Sequence, residues 1–492
     1  MNSKQRLLAG VSNYSLASIL GIAASLISFP VLTRLLSVSD YGLMNLVSVS
    51  IVLLVAIGKG GLQTSAIRFY AEIESGKTQW TMSNYYATLI YGMVAVSLTV
   101  MVSWATGSLI YGWYFSNLSF ACLLALTAVL IPVRVMESAL LNILKAGEKS
   151  FVHSVYTIAR KYGLLVIIVA ALVWIAATAH TFYLATIVGE SIALLALAWY
   201  TLKPLPKLRD TSGALLWQMA AFGIPMIGYE IAGNILNLSD RYVIEWKLGH
   251  EQVGIYSASY NLVDYLSSAI VNPFVGAFMP VCLSLWANGE KIAVQEFLGQ
   301  SLRYYLLIAI PVIAGIAAVG SELIHVMASE KYLVGAEIIP YVTMGMFIHG
   351  ATVFFGAGLY INKQGITMSL IVLLAAVINL LLNLLWVPRY GIMGAAFATM
   401  AASFIIVVLS SWYGRQVLRV TFPYLYALKL ALIASAMYWV VGQVEVPLVG
   451  FTLLAKIMAG MVFFATVMWC VDGEIRALVS DIAGRVRNGL YG

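Results

Sequence analysis

Fourteen predominantly apolar stretches, each long enough to cross a bilayer, follow one another along this chain with little between them. A spanning helix needs about 20 such residues. The stretches lie near 12–33, 41–63, 83–106, 118–140, 158–177, 182–202 and 215–238, then near 252–275, 300–320, 338–360, 367–387, 391–413, 427–445 and 449–471. With 61% hydrophobic and 10% charged residues over 492 positions, the expected fold is that of an all-α polytopic membrane protein. The spans use up most of the length, so no separate aqueous domain and no large soluble catalytic module fits. The first span follows Lys4 and Arg6 as a signal peptide would. It is long, lacks a small-residue cleavage site and leads straight into another span, so it is read as retained.

The net charge of +7 reads as the excess of Lys and Arg that fixes orientation, with no implication of nucleic acid. Of the 28 Lys and Arg residues, 20 fall on the side of the N-terminus, counting loops and the adjoining span ends. Five fall on the opposite side (Arg34, Arg241, Lys247, Lys331, Arg389), and Lys59, Arg134 and Lys456 lie within spans. An even number of spans then puts both termini in the cytoplasm. From Leu144 to Tyr162, apolar residues at helical spacing among Lys145, Lys149, Arg160 and Lys161 predict a helix lying in the cytoplasmic interface. The outer connections are short, the longest running from Ser239 to Glu251 and from Ser321 to Glu337. Cys122, Cys282 and Cys470 fall in apolar spans without pairing or Cys-x-x-Cys spacing, so no disulfide framework follows.

The two halves echo one another weakly. Thr33-Arg34-Leu35-Leu36 leads to Tyr41-Gly42 after the first span, and Asp240-Arg241-Tyr242 leads to Gly254-Ile255-Tyr256 after the seventh. Internal repeats of this kind are common in secondary transporters. These stretches, with Phe29-Pro30, Gly61-Leu62 to Arg68-Phe69-Tyr70-Ala71, Met279-Pro280, and Pro388-Arg389-Tyr390-Gly391 leading to Gly394-Ala395-Ala396, carry a resemblance covering residues 10 to about 415. The chain resembles the polysaccharide-export branch of the multidrug/oligosaccharidyl-lipid/polysaccharide exporter superfamily, most closely the Wzx-type flippases for lipid-linked repeat units. The resemblance implies two pseudo-symmetric six-helix lobes, 1–210 and 211–420, with two further helices and a cytoplasmic tail in 421–492. Lipid II flippases also carry two extra spans. The ring of basic residues such proteins carry in their first two spans is thin here, where Lys59 is the only basic residue inside them. The superfamily's drug exporters rank below both.

A charge at the centre of a spanning helix costs roughly 2.5 to 3.5 kcal/mol, so Lys59, Arg134, Glu190, Glu230 and Asp264 must face protein or water. Glu190 and Asp264 sit closest to mid-span and, with Glu230, are the candidates for coupling to an ion; hydrogen bonding to neighbouring helices is the equal alternative. Arg134 and Glu137 share a helix face, which favours mutual neutralisation. Lys59, flanked by glycines near the inner end of its span, either snorkels to the headgroups or meets a diphosphate arriving from the inner leaflet. Arg34, Arg68 and Arg241 match the family's motifs and join Lys59 and Arg134 as candidate cationic contacts for the substrate. Lys456, outside the 12-helix core, is expected to face lipid or a partner. The five His residues are scattered without metal-ligand spacing, and Gly58 to Gly61 lacks the strand and the Gly-Lys-Ser/Thr of a phosphate loop.

The resemblance therefore implies translocation of a polyprenyl-diphosphate-linked oligosaccharide repeat unit across a bacterial inner membrane by alternating access. No cofactor is expected, and a proton or sodium gradient is a possible driver. Membrane lipids surround the chain, and the polymerase and chain-length regulator of the same pathway are possible partners. A lipid II flippase, a drug or cation antiporter and a membrane-embedded glycan polymerase are the alternatives. The short outer loops leave little room for the last of these.

Overall fold

The computed structural model describes residues 3–476 except 77, 115–117, 204, 474 and 475. Lys77, Arg485 and Arg487 of the charge count, the side chains of Lys4 and Arg6, and the expected cytoplasmic tail beyond residue 476 lie outside the described residues. Among the described residues, 13 helices are long and apolar enough to cross a membrane, or 14 if a bent pair counts as one span.

The first half of the chain, which we call the first lobe, contains α1 (Ser3–Leu35), α2 (Val38–Gly58), α3 (Leu62–Glu74), α4 (Met82–Tyr114), α5 (Leu118–Thr127), α6 (Leu130–Ala146), α7 (Ser150–Trp174) and α8 (Ala179–Thr201), and the second half, the second lobe, follows it. Helices α5 and α6 together make one span of 29 residues. Two of the turns have a local cause. Ser37 caps α2 by accepting from the Asp40 N–H, while Asp40 reaches across to accept from the Ala179 N–H at the start of α8, 3.0 Å away. Gly60 and Gly61 take positive φ values of 55° and 74°, which lets the chain reverse sharply between α2 and α3.

The second lobe contains α9 (Gly213–Leu248), α10 (His250–Ala287), α11 (Lys291–Ala318), α12 (Gly320–Met327), a 3-10 segment (Glu330–Ile338), α13 (Ile339–Gly350), α14 (Thr352–Phe355), α15 (Ala357–Ile361), α16 (Gly365–Tyr390) and α17 (Ile392–Gly414). Two more helices, α18 (Tyr424–Gly442) and α19 (Val449–Val471), follow. Helix α9 bends by 47° between its segments Gly213–Ile224 and Ile227–Leu248, where Pro225 removes a backbone donor. Helices α9, α16 and α17 pack together, α1 packs on α7, and the lobes meet where α2 crosses α9 and α10 and where α3 crosses α9.

Among the described residues, the loops and adjoining helix ends at the end of the bundle holding α3 and the α6–α7 turn carry more Lys and Arg than those at the opposite end. We call this the basic end and the opposite one the far end.

Four expectations are corrected. The interfacial helix from Leu144 to Tyr162 does not exist as a unit: the chain turns at Gly147 and Glu148, and α7 continues unbroken through Arg160 and Lys161 into its span. The amphipathic segment at the basic end is instead α3, which buries Leu62, Ala66, Phe69 and Ile73 and turns Arg68 outward. The loop from Ser239 to Glu251 is absent, because α9 runs on to Leu248 and α10 begins at His250, with only Gly249 (φ 86°) between. Met279-Pro280, which the expected eighth span at 252–275 places after it, lies inside α10. Lys456 is no lipid or partner contact in this structure: it is buried, and its Nζ reaches Glu322 Oε1 at 2.5 Å, fastening α19 to α12.

Candidate functional site

The seam between the lobes is closed by backbone contact at both ends. At the basic end, the Gly61 turn lies against α9 so tightly that a Cβ on Gly223 would sit 2.0 Å from the Gly61 carbonyl oxygen. Just beyond, Lys59 Nζ donates to Glu230 Oε1 at 2.8 Å, linking the end of α2 to α9 on the other side of the bend. Arg68 pairs with Glu72 on its own helix at 2.8 Å and sets its guanidinium 4.4 Å over the Phe222 ring. Three contacts of different chemistry thus join residues 59–68 to residues 222–230.

At the far end, α2 meets the start of α10 through Gly42 and Gly254. Thr33 Oγ1 donates to the Ala328 carbonyl at 3.0 Å, and Arg34 Nη2 donates to that of Val326 at 2.6 Å. Arg34 is therefore a clasp between α1 and the end of α12, at the surface. Beneath it, Phe29, Tyr41, Tyr265 and Tyr332 form edge-to-face contacts between centroids 5.7 to 6.4 Å apart.

Between these ends runs a polar chain. Asn261 Nδ2 donates to Asn45 Oδ1 at 2.8 Å and to Tyr41 Oη at 3.3 Å, and Ser50 hydrogen-bonds Tyr242. Arg241 belongs to the same chain, donating to Ser257, to the Asn237 carbonyl and to Asn261, with its guanidinium 4.7 Å from the Tyr260 ring. It is 4% exposed, so in this conformation it is not available to a substrate.

Within the first lobe four charges meet. Arg134 grips Glu190 in a bidentate pair at 2.8 and 3.0 Å. Arg160 donates to the same carboxylate at 3.1 Å, and its Nε lies 2.8 Å from Glu137. Two cations and two anions cancel, which is how the membrane interior tolerates them. The expected Arg134–Glu137 pairing is thereby corrected, because each finds its principal partner on another helix. Arg160, read from sequence as a loop-side orientation signal, was missed as a member of this cluster. Its signal was the apolar run following it in α7.

The second lobe holds a carboxylate that sequence reading passed over. Asp240 is 1% exposed and accepts hydrogen bonds from Tyr256 at 2.7 Å, Thr399 at 2.6 Å and Asn383 at 2.7 Å, joining α9, α10, α16 and α17. Asn379 extends the cluster, accepting from Ser239 at 2.6 Å. The apolar residues after Asp240, through Val243 and Ile244, were the sign that the span continued. Asp264 is exposed on α10, one turn from Tyr260. The eight candidates thus do not form one site: Lys59, Glu230 and Arg68 share the basic-end seam, Arg34 the far-end seam, Arg134 and Glu190 the first-lobe cluster, and Arg241 and Asp264 the α9–α10 region.

The family model described as polysaccharide biosynthesis protein matches residues 31–337. An uncharacterized membrane protein of Methanocaldococcus jannaschii is 28% identical over 216 residues, 42% of this chain and 41% of that protein. The probable low-salt glycan biosynthesis flippase Agl15 of Haloferax volcanii is 21% identical over 195 residues, 39% of this chain and 41% of that protein. The chain thus spans about two fifths of the length of the curated relatives it matches. Among solved structures, the lipid II flippase MurJ in an inward closed conformation superposes with a TM-score of 0.76 at 16% identity, covering 95% of this chain and 99% of that one. An inward-facing multidrug resistance MATE transporter of the MOP superfamily gives a TM-score of 0.61 at 16% identity, covering 82% of this chain and 94% of that one. At these identities the structural likeness establishes the fold.

Proposed function

The chain belongs to the polysaccharide biosynthesis protein family, and on that premise we propose that it flips a polyprenyl-diphosphate-linked oligosaccharide across the cytoplasmic membrane for surface glycan assembly. The carrying observation is the seam, whose two ends are held by separate contact sets. Alternating access requires that arrangement, because a hydrophilic headgroup must enter from one leaflet and leave toward the other without an open pore. The basic end faces the cytoplasm, in line with the excess of Lys and Arg in its loops.

Of the cationic candidates, Lys59 best suits a diphosphate entering from that side, since it lies at the basic-end mouth of the seam. Arg134 and Arg241 are committed to internal partners and serve the architecture. For ion coupling, Glu190 is occupied by two arginines and Glu230 by one lysine. Asp240 is the better-placed carboxylate, enclosed by neutral hydroxyl and amide donors on three helices besides its own, so that a proton or cation gained there would change how the four helices pack. Asp264 remains the exposed alternative.

Lipid II as cargo is the second reading, supported by the superposition over 95% of this chain, which includes the two helices beyond the 12-helix core. The deciding experiment is flipping in proteoliposomes, with a lipid-linked oligosaccharide and lipid II offered separately. Transport of the first alone supports the repeat-unit reading, of the second alone the lipid II reading; transport of neither removes both.

A further inference from the structure

Resting on the flippase reading above, we propose that Glu230 is the displaceable counter-ion of Lys59, so that the diphosphate of an arriving lipid takes Lys59 from Glu230 and thereby releases the basic-end seam. The two residues come from different lobes and meet at 2.8 Å, next to the Gly61–Gly223 contact. Their exposures differ. The Lys59 side chain is 16% exposed and that of Glu230 42%, so the carboxylate has solvent to retire into while the ammonium does not. A pair with one such exposed member contributes little on its own. A diphosphate carries more charge than a carboxylate and offers more acceptor oxygens to the three ammonium donors.

Of the three contacts described at this end, the ion pair is the one between opposite formal charges. Gly61 and Gly223 touch through backbone and side-chain-free carbon, and Arg68 lies on an aromatic ring while paired to its own helix. None of these is charge-matched across the seam except Lys59–Glu230. The α9 bend lies between Gly223 and Glu230, so releasing Glu230 removes the ion pair that ties the longer α9 segment to the end of α2, leaving the Ser50–Tyr242 hydrogen bond deeper in the seam, while the shorter segment still rests on Gly61. A ligand that binds one state through Lys59 shifts the population only by its differential affinity. Displacing Glu230 supplies that difference, because in the closed state Lys59 is already occupied. The same arrangement favours anionic lipids over neutral ones before any sugar is read.

The test places spin labels at Ser75→Cys and Asn288→Cys, exposed positions at the basic end of each lobe, in a chain whose three native cysteines are replaced. Distances are measured in nanodiscs with no ligand, with undecaprenyl diphosphate and with undecaprenol, and binding is followed separately by thermal shift. The diphosphate lipid is expected to lengthen the distance and undecaprenol to leave it unchanged. Glu230→Gln should raise the ligand-free open population about two- to fivefold, as expected for losing a pair with one solvent-exposed member. The swap of Lys59→Glu with Glu230→Lys should close the seam again, where Lys59→Glu alone opens it. Undecaprenyl diphosphate that binds without changing the distance, or a swap no more closed than Lys59→Glu, overturns the latch and leaves the flippase reading standing; absence of any binding overturns both.

Discussion

Gly42 and Gly254 face one another across the two lobes with no room for a side chain: a Cβ on Gly254 would lie 2.2 Å from the Val38 carbonyl oxygen, and one on Gly42 2.0 Å from that of His250. Both lie within helices, so alanine strains neither backbone and acts only by holding the helices apart. Gly223 is the counterpart at the basic end. Gly42→Ala and Gly254→Ala are expected to favour the state open at the far end, and Gly223→Ala the state open at the basic end. Thiol accessibility of single cysteines along the seam reads the two shifts. Movement of both classes in the same direction would break the two-gate description.

The first-lobe charge cluster gives a stability prediction. The Glu190 side chain is 2% exposed and holds both Arg134 and Arg160. Breaking a buried pair by neutralising one member costs about 3–5 kcal/mol, and the 24% exposure of each arginine argues for the lower part of that range. Glu190→Gln should therefore lower the apparent Tm by several degrees while leaving any gradient dependence of flipping intact. A variant of unchanged Tm that loses gradient dependence would return Glu190 to the coupling role.

Sequence reading recovered the order of the spans because apolar length is a local property, summed over about 20 neighbours. It failed where partners are distant. Nothing near Arg134 points to Glu190, 56 positions away, and nothing near Lys59 points to Glu230, 171 positions away. The nearer Glu137 was a plausible but incorrect partner. Asp240 was passed over, and Arg241, though a candidate, was placed in an outer loop, for another reason: two adjacent charges resemble the end of a span, although buried hydroxyl and amide groups on three other helices carry Asp240 inside it. Lys59 was legible as a functional candidate from its glycine neighbours, whereas the role of Gly61 and Gly223 as contact surfaces emerges only when the helices are in place.

The turn between α6 and α7 tests orientation. Its exposed residues Glu148 and Lys149 lie at the basic end, which the charge distribution assigns to the cytoplasm. A single cysteine at Lys149 should resist an impermeant thiol reagent added to intact cells and react after permeabilisation. A cysteine at Tyr390, exposed at the far end, should behave oppositely. Labelling of Lys149→Cys in intact cells would invert the topology and with it the direction of transport.

Coupling to a gradient separates Asp240 from Asp264. Asp240 is enclosed by donors that also accept, since the Tyr256 and Thr399 hydroxyls can turn to meet an amide, so Asp240→Asn should keep the fold while removing the site's capacity to gain a proton or cation. Asp264 is exposed, and Asp264→Asn leaves that enclosure untouched. If binding at Asp240 changes how α9, α10, α16 and α17 pack, Asp240→Asn should flip substrate at one rate whatever gradient is imposed. Asp264→Asn should still respond. The measurement is the rate of flipping of a lipid-linked oligosaccharide in proteoliposomes under a pH gradient, a sodium gradient and neither. Wild-type acceleration under only one of the two gradients identifies the ion. A full response in Asp240→Asn with loss in Asp264→Asn would move the coupling site to α10, and no response in the wild type would leave the gradient of the substrate itself as the driving force.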